Sequence, residues 1–254
     1  MKIIGDIGNT EVKICLVDNK FNIKKKIIIK TNEINQSKLK KKLKLFLKYK
    51  NNLEDIVFSS VVPKIYKQFS IFFKINLHKK VVEIKNLKLK KLIDIRVNKK
   101  QVGSDRIANS VGAYKKYKSN CIVLDFGTAT TFDVVTKKGT YNGGIIAPGI
   151  NLSMKSLTNS ADQIPPFNIK KQKKIIGKNT LEALRSGFYW GYSGLINNII
   201  LKIEKETKKK YKIIFTGGFA DLFKTSIARP FQIDKNITIN GIIEIFKANK
   251  KYLN

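Results

Sequence analysis

Alternation of apolar and polar positions dominates the first thirty residues. MKIIG, EVKICLVD and IKKKIIIK read as three strands separated by turns at DIGNT and NKFN. From Ser37 to Lys50 the period lengthens, and Leu39, Leu43, Phe46 and Leu47 fall at helical spacing. A further strand, 55-DIVFSSVV-62, precedes a helix opened by Pro63, with Ile65, Phe69, Phe72 and Phe73 on one face. A Gly turn and a capping-type Ser104 then open a helix over 104-SDRIANSVGAYKKY-117.

The second half repeats the opening. The stretch 121-CIVLDFGTATTFDVVT-136 reads strand, D-x-G turn, strand, as does 3-IIGDIGNTEVKICLV-17. A short hairpin stretch runs to Pro148 and a Lys-rich loop follows. A long helix is expected from about Thr180 to Glu206, then a strand over 212-KIIFTGG-218 and an amphipathic helix over 240-NGIIEIFKANKK-251. Two halves that each open on a D-x-G hairpin point to an internal duplication, divided as 1–118 and 119–254. No Gly/Ser-rich or Pro-rich linker separates them, so the halves are expected to pack along one cleft.

Composition narrows the class. The chain has 254 residues, 43% of them hydrophobic, and no apolar run approaches the ~18 residues of a membrane span. The apolar part of MKIIGDIGNT is too short for a signal peptide. Cys15 and Cys121 sit in strand-like apolar runs and read as buried, reduced thiols, which places the protein in the cytoplasm. The charge is extreme: 51 Lys+Arg against 18 Asp+Glu, a formal +33. Nearly all of it is lysine, the arginines being Arg96, Arg106, Arg185 and Arg229, and the lysines form no single block. Specific nucleic-acid readers lean on the arginine fork, so a solvated surface that helps recruit anions is the expectation, with no specific nucleic-acid or membrane partner.

Against that lysine background, Asp6, Asp105, Asp125 and Asp133 fall in three short motifs that are almost free of lysine. A D-x-G turn between two strands suits phosphate. The Asp at the strand end can hold Mg²⁺ directly or through water. The Gly lets the backbone approach an anion, and turn N–H groups with the hydroxyls of Thr10, Thr128, Thr130 and Thr131 and the amide of Asn9 can donate to phosphate oxygens. In 102-VGSDRIAN-109, Asp105 can accept a proton from a hydroxyl while Arg106 binds an anionic group of the same substrate. The Gly pair of 216-TGG-218 suits either a flat ring lying on bare backbone or a routine strand-end turn. Gly187, Gly191 and Gly194 give the long helix one small face, for a dimer contact or for tight packing on its own sheet. GKNT lacks the first glycine and the hydroxyl of a P-loop. His78 has no partners for a triad or a zinc site, and Trp190 reads as packing.

DIGNTEVK, GSDRIAN, DFGTATTFD, GGIIAPG, GKNTLEALRSGFYWGYSGL and TGGFA occur in this order across nearly the whole chain. Together they resemble type III pantothenate kinases, of the actin/hexokinase/Hsp70-like superfamily. The resemblance implies an α/β fold of two duplicated actin/ribonuclease H-like halves, with mixed sheets flanked by helices around a central cleft. It implies ATP-dependent phosphorylation of pantothenate to 4'-phosphopantothenate, the first step of coenzyme A synthesis, by a homodimer that uses Mg²⁺ and K⁺ or NH₄⁺. Asp6, Ile7, Gly8, Asn9, Thr10, Glu11, Val12 and Lys13 would form the first ATP phosphate loop, and Thr128 would contact ATP. Gly103, Ser104, Asp105 and Arg106 would line the pantothenate site, with Asp105 as proton acceptor and Thr180 reaching in from the second subunit. Asp125 would bind the monovalent cation, and Asp6 is a further candidate for Mg²⁺. Where the family usually has a Tyr-Asp-Asn-Pro-like stretch, this chain reads 96-RVNKKQVG-103; the usual substrate-contacting Tyr is missing, with Arg96 or Val97 in its place. Two other readings stand beside this one: a different small-molecule kinase of the superfamily, and a nucleic-acid-binding regulatory relative without activity.

Overall fold

The computed structural model describes residues 1–250. In chain order these form β1 (Lys2–Ile7), β2 (Glu11–Val17), β3 (Ile23–Lys30), α1 (Gln36–Lys42), α2 (Lys44–Leu47), β4 (Asp55–Ser60), α3 (Pro63–Leu77), β5 (Val81–Glu83), β6 (Asp94–Ile95) and α4 (Ser104–Tyr117). There follow β7 (Cys121–Phe126), β8 (Ala129–Val135), β9 (Thr140–Pro148), α5 (Ile150–Ser160), α6 (Thr180–Thr207), β10 (Lys212–Gly217), β11 (Phe231–Ile233) and α7 (Ile237–Asn249). They fall into two compact units. One comprises residues 1–118, 139–142 and the described residues from 236 to 250; the other comprises 119–138 and 143–235.

The sheet of the first unit runs β3-β2-β1-β4-β5. β1 pairs antiparallel with β2 and parallel with β4, and β4 pairs parallel with β5. All six residues of β1 are buried, as expected of a central strand covered on both faces. The core gathers Ile3, Ile7, Val12 and Ile14 from the hairpin with Phe58, Phe69 and Phe73; the Phe58 ring meets Phe69 edge-on at 5.2 Å. α4 and α7 touch backbone to backbone: a Cβ on Gly241 would collide with the Ala108 carbonyl, and one on Gly112 with that of Ile237. Only the missing side chains permit that approach. The buried Thr238 hydroxyl adds a hydrogen bond of 2.7 Å to Asn109 Oδ1 across the same contact.

The second sheet runs β11-β10-β7-β8-β9-β6, the two-residue β6 pairing parallel with the start of β9. Its first hairpin is antiparallel, and β10 and β11 join in parallel. Counted from β7 on, its five strands have the same order as those of the first sheet: third, second, first, fourth, fifth. This repeated topology is the structural form of the duplicated D-x-G pattern. Phe126 anchors the second core, stacking on Phe223 at 5.5 Å and meeting Phe215 edge-on at 5.2 Å. α6 buries Ser186, Tyr189, Ser193, Ile196, Ile200 and Ile203 on one stripe, and Tyr189 and Trp190 pack edge to face as expected of core aromatics.

Three expectations are corrected. The helix over 37–50 is interrupted at Leu43, whose φ of −96° and ψ of 8° leave the α region. The segment after Pro148 is no loop at its start, because α5 forms there around buried Ile150 and Met154. Ser104 is not a cap: the N-cap of α4 is Gly103, with no side-chain cap bond.

Candidate active site

In the first unit the DIGNT turn closes β1 onto β2. Asp6 pairs with Lys13 and Ile7 with Val12, leaving Gly8 to Thr10 at the tip. The Gly8 N–H donates to the Glu11 carbonyl at 3.0 Å. Thr31, just beyond β3, braces the turn: its hydroxyl donates to the Gly8 carbonyl at 2.8 Å and its N–H to the Thr10 carbonyl at 2.9 Å. Asn9, Thr10 and Glu11 are exposed, while Gly8 and Lys13 are half-buried. Ile7 and Val12 are wholly buried, so only their main chain is available to a nucleotide. The Asp6 carboxylate is buried and lies level with Ser59 at the end of the parallel strand β4.

The G-S-D-R turn belongs to the same unit. Asp105 Oδ1 accepts the Arg106 N–H at 2.8 Å, which folds the carboxylate back over Gly103. A Cβ at position 103 would collide with that oxygen. A side chain at 103 would therefore displace the carboxylate two residues on. Ser104 is fully buried, and its hydroxyl is tied to the end of β4: it accepts the Ser60 N–H at 2.9 Å and donates to the Ser60 carbonyl at 2.8 Å. Asp105 and Arg106 are half-buried. Arg96, near the position of the family's Tyr, is exposed and pairs with Asp94 at 3.0 Å.

In the second unit the DFGTATTFD turn is tighter, with the Gly127 N–H donating to the Ala129 carbonyl at 3.1 Å. Asp125 lies level with Thr131 of β8 and Thr216 of β10. Gly217 has a φ of +84°, and a Cβ there would stand 2.7 Å from Asp125 Oδ1 and 2.6 Å from the Phe126 nitrogen. Gly217, the first of the Gly pair, thus lays bare backbone against the Asp125 loop, whereas a Cβ on Gly218 would come no nearer than 4.0 Å to the Phe126 carbonyl. A Cβ on Gly149, the N-cap of α5, would collide with the Thr128 carbonyl. The sequence reading did not connect Gly149 or Gly217 with this loop; the Pro148–Gly149 step was the available signal. Thr128 is exposed, Thr131 half-buried and Thr130 sealed inside.

GKNT is a capping box. Asn179 Oδ1 accepts the Glu182 N–H at 2.9 Å, and Glu182 Oε2 accepts the Lys178 N–H at 2.8 Å. Thr180 is therefore presented, exposed, as the first residue of α6. Gly187, Gly191 and Gly194 are exposed, and a Cβ on any of them would meet nothing within 4 Å. The small face does not lie on its own sheet.

The model of the type III pantothenate kinase family matches residues 2–202. The chain belongs to the type III pantothenate kinase family. A type III pantothenate kinase of Pelagibacter ubique (strain HTCC1062) is 54% identical over 244 residues, covering 96% of this chain and 97% of the relative. One from Jannaschia sp. (strain CCS1) is 39% identical over 202 residues, covering 78% and 77%. A solved structure from Campylobacter jejuni, described as a Baf family transcriptional activator, aligns with a TM-score of 0.64 at 21% identity over 98% of this chain and 99% of its own. The activator of the 2-hydroxyisocaproyl-CoA dehydratase from Clostridium difficile, solved with bound ADPNP, aligns with a TM-score of 0.58 at 10% identity over 98% and 97%. At such identities these two structures speak for the fold alone, the duplicated actin-like α/β architecture.

A type III pantothenate kinase uses ATP and a divalent metal ion. Among the described residues no three Asp, Glu, His or Cys side chains converge into a metal cage. Mg²⁺ needs none when ATP is present, because one or two carboxylates plus phosphate oxygens and waters complete its shell. The buried Asp6 carboxylate beside an exposed hairpin tip fits that donor set. No helix among the described residues is long and apolar enough to cross a membrane.

Proposed function

We propose that Asp105 is the proton acceptor in the reaction of this type III pantothenate kinase, the ATP-dependent phosphorylation of pantothenate to 4'-phosphopantothenate. The observation that carries this reading is the Asp105 carboxylate held over Gly103 in the first turn of α4, with Arg106 next to it. Asp105 orients the primary alcohol and takes its proton late, as the oxygen bonds to phosphorus. Arg106 binds the carboxylate of pantothenate, and Gly103 supplies a surface without a side chain. Phosphoryl transfer asks little covalent chemistry of the protein, so positioning and charge neutralisation carry the rate.

The N–H groups and hydroxyls of 8-GNT-10 cradle ATP phosphates, with Lys13 behind them and Thr128 as a further contact. Asp6 would hold Mg²⁺ that arrives with ATP, and Asp125 would hold K⁺ or NH₄⁺; both cations neutralise charge that builds on the phosphates. The outward face of Gly187, Gly191 and Gly194 supports a homodimer in which Thr180 serves the partner's substrate site. Two buried free cysteines support a cytoplasmic enzyme, and dispersed lysines support no specific nucleic-acid partner. Asp105→Asn is expected to lower kcat about 10²–10⁴-fold with KM for ATP little changed. Turnover within a few-fold of wild type would remove Asp105 from this role.

A further inference from the structure

One apolar side chain stands at the G-S-D-R turn. Ile56 and Phe58 of β4 face the core of the first unit. Strand alternation turns Val57, Ser59 and Val61 to the opposite face, where Ser59 Oγ lies 3.3 Å from Ser104 Oγ. Val62 packs against the core, whereas Val61, half-buried, meets the turn. A Cβ at position 103 would collide with Asp105 Oδ1 and would stand 3.4 Å from Val61 Cγ1. The carboxylate and the valine methyl group thus border the same bare backbone. The main chain of Val61 is fixed on both sides. Its N–H donates to the Ile7 carbonyl at 3.0 Å, one residue before the hairpin tip. The preceding residue, Ser60, is tied to the Ser104 hydroxyl through its N–H and its carbonyl.

We propose that Val61 is a specificity-determining residue: its side chain receives the methyl groups that pantothenate carries next to its primary alcohol. The proposal rests on the reading of Asp105 as proton acceptor. In pantothenate the carbon that bears the reacting hydroxyl is bonded to a quaternary carbon with two methyl groups. An alcohol held on the Asp105 carboxylate therefore brings a branched apolar surface one bond away from the reacting carbon. The acids and hydroxyls of the turn gain nothing from those methyl groups, which would only strip them of water. A valine bordering bare Gly103 offers apolar surface at that place, and Gly103 itself leaves the room. Straight-chain alcohols and polyols lack the branch, and they leave Val61 facing a gap. One carbon more or less in an apolar pocket changes kcat/KM by about 10- to 200-fold. The fixed main chain of Val61 keeps the pocket from collapsing onto a thinner substrate, and such collapse is what would erase the discrimination.

The test measures kcat/KM for pantothenate and for its analogue with hydrogen in place of both methyl groups. It compares wild type, Val61→Ala, Val61→Thr and Asp105→Asn in the whole protein, with thermal unfolding of each. Wild type is expected to prefer pantothenate by about 10- to 200-fold. Val61→Ala is expected to lose about tenfold on pantothenate, mainly in KM, and little on the analogue, so the preference shrinks about tenfold while KM for ATP is kept. Val61→Thr, of the same shape, is expected to unfold near the wild-type temperature and to shrink the preference too, because a hydroxyl replaces one methyl group. Should Val61→Ala fail to fold, Val61→Thr decides alone. A wild-type preference retained in the variants overturns the proposal, and so does equal use of the two substrates by wild type. Equal losses on both substrates overturn it as well, by making Val61 a mere support of the turn. With Asp105→Asn inactive, each of these results removes Val61 and leaves the proton-acceptor reading standing. Wild-type turnover in Asp105→Asn instead sinks that reading and this proposal with it.

Discussion

The two D-x-G hairpins share a strand order and a motif, yet they are braced in different ways. The first is held by its own sheet: Thr31, at the end of the third strand, donates to two carbonyls of the turn. The second is held by absences. Gly149 and Gly217, far apart in sequence, bring bare backbone against the Thr128 carbonyl and against Asp125. A loop fastened by hydrogen bonds tolerates the loss of one at modest cost. A loop fastened by close backbone contact fails when a single carbon is added. Duplication therefore preserved the hairpin while letting each copy find its own support.

The largest effect is expected where that difference is attacked directly. Gly149→Ala and Gly217→Ala each insert a methyl group against backbone, the latter also at a positive φ that costs a non-glycine residue about 1–2 kcal/mol. Either is expected to cut turnover about 100-fold by displacing the second loop, with protein still folded by circular dichroism. Activity near wild type in both would mean that the contacts are not needed to hold the loop.

A smaller effect should separate the two acids by the cation each serves. Asp125→Asn is expected to abolish the rate increase on replacing Na⁺ by K⁺ or NH₄⁺ at fixed ionic strength, about tenfold in kcat. Asp6→Asn should leave that increase intact and raise the Mg²⁺ concentration needed for half-maximal rate. An unchanged K⁺ response in Asp125→Asn would void the assignment, and so would equal wild-type rates in Na⁺ and K⁺.

The smallest effect is reserved for the hydrogen-bonded hairpin. Thr31→Val removes the bond to Gly8 and is expected to lower stability by about 1 kcal/mol, with KM for ATP rising a few-fold and kcat nearly kept. A collapse of activity there, equal to that of Gly149→Ala, would erase the contrast between the loops.

Strand positions and the three acidic motifs were legible because alternation and turn chemistry are local. So were the starts of α4 and α6, although the cap of α4 is Gly103 and not the Ser104 that looks like one. α5 was hidden because its buried face holds only Ile150 and Met154 among serines and asparagines, too little for a helical period to show. Ile7 and Val12 lie inside a motif that reads as a phosphate loop, but strand alternation turns their side chains to the core. Gly149 and Gly217 matter through neighbours distant in sequence, and no local pattern carries that. The packing of α7 on α4 is of the same kind, since it depends on two glycines more than a hundred residues apart.

That last contact has a consequence for how the protein is made. The first unit draws on residues 1–118 and on the described residues from 236 to 250, while a ribosome delivers residues in order. Every segment of the second unit is synthesised before α7, so the second unit can settle first although its sequence begins later. Until Ile237–Asn249 has left the exit tunnel, α4 lacks the helix that fits its glycine notch. Until then the α4 face at Ala108 and Gly112 stays uncovered, and the first unit is incomplete in a nascent chain that already holds every acidic motif.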